Sequence, residues 1–201
     1  MVMRYGFLRL AIGLFGAALA AVALNPPIPP ASVDVPLAKQ SGKETAVFAG
    51  GCFWGTQSVF QRVKGVLGTK AGYSGGSAKT ATYKQVITET TGHAESVEVI
   101  YDPSRITYGQ LLRIFFSVAH DPTQLNRQGP DVGTSYRSAI FYGNEDQKRL
   151  AQAYIAATRS AKGLSEGDCD RGDAPQIVLS RGGLSPGLRV LQSRQSLHSS
   201  L

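Results

Sequence analysis

Cysteine is scarce in this chain, which has only Cys52 and Cys169. Two cysteines are too few for the disulfide framework that stabilises many small secreted domains. They fit either one catalytic thiol with a partner thiol, or two unrelated residues. The cysteine count alone leaves both interpretations open.

No run of lysine or arginine accounts for the net charge of +7. The basic residues are scattered, and no basic helix alternates with aromatic side chains, so nucleic acid is not expected as a partner. Apolar residues make up 42% of the chain, which is too many for a disordered protein. The composition therefore predicts an ordinary globular domain.

Aromatic residues are absent after Tyr154. Residues 163–201 are dominated by Gly, Ser, Arg and Leu, and their apolar side chains follow no sustained period. Such a composition is typical of a segment that cannot bury enough apolar surface to fold. We predict that residues 163–201 form an atypical, disordered tail.

A long apolar run occurs only near the N-terminus. Residues 10–24 carry no charge, follow Arg4 and Arg9, and contain small-x-small sequences typical of a signal cleavage site. The run is shorter than the roughly 20 residues of a membrane-spanning helix. Residues 1–24 are predicted to be a signal peptide or an uncleaved anchor, so that the protein is exported and is either periplasmic or tethered to the membrane. The Pro-rich residues 25–43 are predicted to be an extended linker.

Regular patterns occupy residues 44–162, the predicted catalytic domain. Short apolar or alternating runs predict four strands, at 45–49, 65–73, 96–101 and 138–142. Amphipathic spacing predicts three helices, at 53–63, 107–119 and 144–161. The order β-α-β-β-α-β followed by a helix predicts an α+β fold of the split βαβ (ferredoxin-like) type, a two-layer sandwich with helices packed on a mixed or antiparallel sheet.

Cys52 lies between the first predicted strand and the first predicted helix, directly after Gly50-Gly51. A helix N-terminus offers free N–H groups and the positive end of the helix dipole, which favour a thiolate. A cysteine that only fills the core is the alternative, but the surrounding glycines argue against it. Phe53 and Trp54 cannot both face the same side of one helix, so at least one should line a pocket beside Cys52.

Several blocks of the sequence resemble, in order and spacing, the A-type methionine sulfoxide reductases. The resemblance covers residues 45–162. The blocks are Gly51-Cys-Phe-Trp-Gly55, Gly72-Tyr-Ser-Gly-Gly76, Thr91-Gly-His-Ala-Glu95, Tyr101-Asp-Pro103, and Asn126-Arg-Gln-Gly-Pro-Asp-Val-Gly133 with Tyr136-Arg-Ser138.

This resemblance implies the thiol-dependent reduction of methionine S-sulfoxide, free or in oxidised proteins, as a repair activity. It makes Cys52 the attacking thiol, which passes through a sulfenic acid. It makes Glu95 the neutral acid that protonates the sulfoxide oxygen, provided that an apolar site keeps its pKa high. The supporting residues implied by position are Tyr83 and Tyr136 as hydrogen-bond donors to that oxygen, Asp131 as a residue that orders the site, and Phe53 and Trp54 as the pocket for the S-methyl group.

The resemblance also implies that a second thiol regenerates Cys52, with a thioredoxin-like protein as reductant. Cys169 is the candidate resolving thiol within the chain, but its acidic neighbours in Glu166-Gly-Asp-Cys-Asp170 disfavour its thiolate. No metal or cofactor is expected. The protein is predicted to be a monomer that meets a membrane only through an uncleaved N-terminal segment.

The chain departs from the family after Lys162. The strand, the aromatic-rich turn, the Tyr-His-Gln segment and the resolving cysteines of other members are not recognisable there, and a third pocket tyrosine has no counterpart. The tail has the character of an unrelated or frame-shifted sequence joined to a normal core.

Two other functions stay open at this point. A cysteine acyl hydrolase or transferase would need a histidine base near Cys52, and the chain has only His93, His120 and His198. We expect the first two to be structural, in a turn and at a helix end respectively. The second alternative is a degenerate exported domain that binds oxidised peptides with impaired turnover.

Overall fold

The computed structural model describes residues 34–161 and 177–183. Its main sheet has five strands: β1 (Glu44–Ala49), β2 (Val66–Ser74), β3 (Ala94–Tyr101), β6 (Ala139–Tyr142) and β7 (Val178–Arg181). The two-residue strands β4 (Arg127–Gln128) and β5 (Asp131–Val132) pair separately. The α-helices are α1 (Phe53–Phe60), α2 (Tyr83–Val86), α3 (Tyr108–Ile114) and α4 (Glu145–Ala161), and single 3₁₀ turns lie at Ala78–Thr80 and Thr134–Tyr136.

The strand order β2-β3-β1-β6-β7 confirms the predicted split βαβ arrangement. β1 is antiparallel to β3 on one side and to β6 on the other, and β2 is antiparallel to β3. β1 and β2 therefore run parallel and are joined through α1, while β3 and β6 run parallel and are joined through α3. The sheet as a whole is mixed, because β7 pairs in parallel with β6.

Alternation along the strands divides the buried residues between the two faces of the sheet. Phe48, Val97, Val99 and Ile140 belong to the large core, which also contains helix residues such as Leu111. A small second cluster holds the residues of opposite parity: Val47, Ala49, Ala94, Ala139 and Phe141. Glu95 shares its parity with Val97 and Val99, so its side chain lies on the helix-covered face.

The helix that joins β3 to β6 begins where the sequence predicts, but its α-helical part ends before the predicted end at residue 119. Thr107 caps α3 in a capping box, since its hydroxyl accepts from Gln110 N and the Gln110 side chain accepts from Thr107 N. The α-helix ends at Ile114, and Phe115–Ala119 continue as a π-helical turn. Two of the rings in this turn, Phe115 and Phe116, are almost fully buried, so the wider turn directs apolar side chains into the core.

Two segments outside the predicted domain belong to the fold. The expectation of disorder throughout residues 163–201 is wrong for β7, whose backbone pairs with the outer edge of β6. Residues 34–43, part of the predicted linker, lie against the turn after β3, where Asp102 accepts hydrogen bonds from Ser41 Oγ at 2.6 Å and Gly42 N at 3.1 Å. Backbone pairing at β7, and hydrogen bonds to the Asp102 carboxylate at residues 41–42, take the place of the long apolar pattern on which prediction relies.

Among the described residues, no helix combines the length and the apolar character that crossing a membrane requires. The apolar run at residues 10–24 lies outside the described ranges.

Candidate active site

Cys52 occupies the N-cap position of α1, at the end of a glycine turn. Gly51 has φ +85°, a left-handed conformation that side chains rarely adopt, and a Cβ added there would collide with the Gln128 side chain. A Cβ on Gly50 would lie 2.9 Å from the Phe115 ring and 3.0 Å from the His120 ring. The turn before Cys52 can therefore pack this closely only because both residues are glycine.

Glu95 is joined to the same helix terminus. Its carboxyl Oε2 accepts a hydrogen bond from Phe53 N, the amide next to Cys52, at 3.0 Å. Only 7% of the residue is exposed. Burial raises the pKa of Glu95, the Phe53 N–H partly offsets that rise, and the negative charges of Asp131 and Glu89 raise the pKa further. The result is a buried carboxyl group that holds its proton more tightly than an ordinary glutamate does.

Two tyrosines, Tyr73 and Tyr136, lie close to this carboxyl, and the largely exposed Tyr83 lies close to Tyr73. Burial, followed by the charge of Glu95 and by Tyr83 and Tyr136, raises the pKa of Tyr73 to about 12. Burial, Glu95, Asp131 and Cys52 raise the pKa of Tyr136 in the same way. The pKa of Tyr73 thus responds to Glu95, Tyr83 and Tyr136, and that of Tyr136 responds to Glu95 and Cys52, as expected for groups that lie close together.

The aromatic rings at the start of α1 divide between core and surface. Phe53 is only 8% exposed, and its ring centroid lies 5.9 Å from that of Tyr73. Trp54 is 48% exposed and meets Phe53 edge-on, with 5.5 Å between centroids. Phe53 therefore packs in the core, and Trp54 leaves an exposed apolar surface on the helix that follows Cys52.

Asp131 lies on the small β4–β5 hairpin that covers the glycine turn. It pairs in register with Gln128, the residue packed on Gly51. The Gln128 amide is itself held by Asp121, with Asp121 N donating to Oε1 and Nε2 donating to Asp121 O, both at 3.1 Å. This pair of bonds fixes the hairpin over the first turn of α1.

The two histidines of the domain lie in structural surroundings. Gly76 N donates to His93 Nδ1 at 3.3 Å, and Nε2 lies 2.9 Å from Ser77 O, so the ring holds the turn after β2. His120 stacks on Phe115 at a centroid distance of 4.0 Å, and its Nδ1 lies 3.0 Å from Phe115 O. His198 lies outside the described residues.

Of the site residues expected from the sequence, the structure places Cys52, Phe53, Glu95, Asp131 and Tyr136 close together, with Trp54 against Phe53. Tyr83 is 65% exposed and lies near Tyr73, and Cys169 lies outside the described ranges. Sequence reasoning missed three others: Tyr73, Glu89 and Gln128. Tyr73 and Gln128 lie inside the blocks that carry the family resemblance, and the β2 alternation places Tyr73 on the same face as Ala71. Glu89 carries no local signal, because its contacts are made more than forty residues away.

In the described part of the chain, no group of three or more His, Cys, Asp or Glu side chains could hold a metal ion.

Comparison with known proteins gives a consistent family assignment. Residues 44–166 match the family model described as peptide methionine sulfoxide reductase. The chain is 63% identical over 121 residues to peptide methionine sulfoxide reductase MsrA 2 of Mesorhizobium japonicum, a match that covers 60% of this chain and 62% of the relative. It is 59% identical over 114 residues to MsrA 2 of Synechocystis, covering 57% of this chain and 53% of the relative. The chain thus spans less than two thirds of these curated relatives.

Solved structures give the same assignment. Methionine sulfoxide reductase A of Corynebacterium diphtheriae is 33% identical with a TM-score of 0.59, and the match covers 79% of this chain and 74% of that one. Mxr1 from Saccharomyces cerevisiae in its reduced form is 30% identical with a TM-score of 0.57, covering 74% and 84%.

Proposed function

The chain belongs to the peptide methionine sulfoxide reductase family, and from the site described above we propose that it reduces methionine S-sulfoxide, free or in proteins, to methionine. The observation that carries this proposal is the hydrogen bond between Glu95 and the amide next to Cys52. This bond supports the proposal because it joins the proposed acid to the amide that directly follows the proposed nucleophile.

The first step transfers the oxygen. Cys52 sulfur attacks the sulfoxide sulfur while Glu95 supplies a proton to the sulfoxide oxygen, which makes the sulfur electrophilic. The attack forms an S–S bond between Cys52 and the substrate. The protonated oxygen then moves from the substrate sulfur to the Cys52 sulfur as the S–O and S–S bonds of the substrate sulfur break, so methionine leaves as the thioether and Cys52 becomes a sulfenic acid. The substrate sulfur gains the two electrons that Cys52 loses, so this half of the cycle needs no cofactor.

Glu95 suits the acid role because burial outweighs the single amide bond to its carboxylate. That bond uses Oε2, so Oε1 is the atom that carries the proton toward the substrate. Tyr83 and Tyr136, with Tyr73 behind them, donate hydrogen bonds to the same oxygen as its negative charge develops. Asp131 helps to keep Glu95 neutral by repulsion between like charges.

Selection of one epimer follows from the directions in which the substrate groups point. The oxygen faces Glu95 and the phenols, the S-methyl group faces the wall formed by Phe53 and Trp54, and the rest of the methionine points to solvent. With those three directions fixed, only one configuration at sulfur presents the correct face to Cys52. The family resemblance implies that this is the S epimer.

Recycling requires a second thiol. It attacks the sulfenic acid, releases water and forms a disulfide, which a thioredoxin-like protein then reduces. Such a thiol can come from the reductant itself or from Cys169.

The function is tested with purified protein, the separated S and R epimers of N-acetylmethionine sulfoxide, and dithiothreitol. We expect reduction of the S epimer by the wild-type protein and none by Cys52→Ser, with Cys169→Ser as the matched thiol control. Activity on the R epimer alone would overturn the proposed site geometry. Tight binding of oxidised peptides without turnover would favour the degenerate binding domain instead.

The proposal includes export, since the apolar run at residues 10–24 follows Arg4 and Arg9. Cell fractionation followed by N-terminal sequencing tests it. We expect a protein that begins near residue 21 or 24, or one that is retained on the membrane. Intact Met1 on a soluble cytoplasmic protein would contradict it.

A further inference from the structure

Glu89 has no role in the proposed attack or proton transfer, yet it makes an unusual set of contacts. Its φ of +59° lies in the left-handed region that non-glycine residues seldom occupy. Its carboxylate accepts hydrogen bonds from Ser135 N at 2.8 Å, Ser135 Oγ at 2.7 Å and Thr134 Oγ1 at 2.8 Å. A backbone held in a costly conformation while its side chain makes three bonds indicates a position fixed by its surroundings.

These contacts join two elements that are far apart in sequence. Glu89 N donates to Val86 O, so the residue ends the turn that follows α2, the helix that begins with Tyr83. Thr134 and Ser135 form the 3₁₀ turn whose last residue is Tyr136. The carboxylate of Glu89 therefore links the segment that carries one phenol to the turn that carries the other.

Other contacts complete this link. A Cβ on Gly133 would lie 2.6 Å from the Glu89 carboxyl, so glycine allows the close approach. On the opposite side, the Arg137 guanidinium donates to the carbonyls of Gly92, His93 and Thr134 at 2.8–2.9 Å. Gly92 and His93 directly precede Ala94 and Glu95, so the turn is fixed relative to the acid through Arg137 and relative to the helix of Tyr83 through Glu89.

We propose that Glu89 is a positioning residue of the sulfoxide site, whose carboxylate holds Tyr136 at a fixed distance from Tyr83 so that both phenols reach one substrate oxygen. The inference rests on the proposed function. Glu89 acts through the turn rather than by touching the substrate. The charge of Glu89 also raises the pKa of Tyr136, as expected when carboxylate and phenol are close.

The test is a double-mutant cycle between Glu89→Ala and Tyr136→Phe, measured as kcat/KM for the S epimer of N-acetylmethionine sulfoxide. Glu89→Ala should lower kcat/KM by about tenfold in the wild-type background and by less than about twofold in the Tyr136→Phe background. The control is Glu145→Gln, a change at an exposed carboxyl on α4, which should leave the rate unchanged. Glu89→Gln, which keeps the size and one acceptor oxygen, should fall between wild type and Glu89→Ala.

Equal losses from Glu89→Ala in both backgrounds would overturn the proposal, because a residue that only supports the fold would act independently of Tyr136. If Glu89→Ala does not fold, the same cycle with Glu89→Gln decides the question by the same criterion. A wild-type protein without S-sulfoxide reductase activity would instead refute the proposed function and this inference with it. A wild type impaired by Tyr136→Phe but not by Glu89→Ala would refute the positioning role alone.

Discussion

Glu95 is subject to opposing influences on its proton. Burial and the charges of Asp131 and Glu89 raise its pKa, while the Phe53 N–H stabilises the carboxylate. Burial is the largest of these influences, so the folded protein holds the Glu95 proton more tightly than the unfolded chain does. The hydrogen bond from Phe53 N holds the Glu95 carboxyl beside Cys52. The same bond lowers the pKa of Glu95 and so works against its protonation.

Substitution of Glu95 should separate proton donation from simple occupancy of the site. Glu95→Ala should lower kcat by about a thousandfold, within the usual range for loss of a general acid, and Glu95→Gln should lose less because its amide still donates a hydrogen bond. Steady-state rates with the S epimer and dithiothreitol give the comparison. A wild-type rate for Glu95→Ala would exclude the acid role.

The raised pKa of Glu95 also predicts how stability changes with pH. A carboxyl that binds its proton more tightly when folded contributes stability below its unfolded pKa and loses it as pH rises through the folded pKa. Thermal unfolding of wild type and Glu95→Gln should therefore diverge as pH rises, with the glutamine variant becoming relatively more stable. A constant difference between their melting temperatures at all pH values would contradict the assignment.

At the scale of single residues, the sequence is informative where chemistry depends on local motifs. Cys52 follows a glycine pair and starts a helix, so its place at a helix terminus is visible in the sequence. Glu95 follows a turn and begins a strand, and the family resemblance supplies its role. Glu89 could not be recognised, because its partners Thr134 and Ser135 become neighbours only after folding.

At the scale of elements, β7 shows where pattern-based prediction fails. Its apolar content is the short run Ile177-Val-Leu179 in a Gly- and Ser-rich context, too short to show a period. β7 is stabilised by pairing with the edge of β6. Val178 N donates to Ser138 O at 3.0 Å, and Gly182 N donates to Tyr142 O at 3.1 Å. The strands β1, β2, β3 and β6 were predictable because each carries its own burial pattern, whereas β7 depends on a partner strand.

Val178→Pro tests whether β7 contributes to stability. Proline removes the N–H that Val178 donates to Ser138 O, so we expect a loss of about 1–3 kcal/mol in the free energy of unfolding. The control is Val178→Ala, which keeps the N–H and alters a side chain that is already 45% exposed. Urea unfolding curves that coincide for the two variants would show that the strand adds nothing through this bond.

At the scale of the whole molecule, the two halves of the reaction depend on different parts of the chain. The residues proposed for attack and protonation, from Cys52 to Tyr136, lie within one described domain. The second thiol within the chain, Cys169, lies outside the described residues. The oxygen-transfer half can therefore be complete in the domain even if recycling depends on an external thiol.

Recycling should accordingly be the slow half of the cycle. Without reductant we expect about one methionine per enzyme, since each Cys52 can take up one oxygen atom. With an external thiol we expect slow turnover that Cys169→Ser barely changes, because acidic neighbours disfavour the Cys169 thiolate. Mass spectrometry after one turnover checks this. A Cys52–Cys169 disulfide in most molecules would make Cys169 the resolving residue and refute the expectation.

The most direct test of the central claim is a single-turnover experiment on wild type and Cys52→Ser with the S epimer and no reductant. The account predicts a burst of about one methionine per wild-type molecule together with a sulfenic acid on Cys52 that a dimedone probe captures. It predicts no methionine from Cys52→Ser, whose hydroxyl stays protonated near neutral pH. Methionine release at the wild-type rate by Cys52→Ser would contradict the claim that this sulfur receives the oxygen.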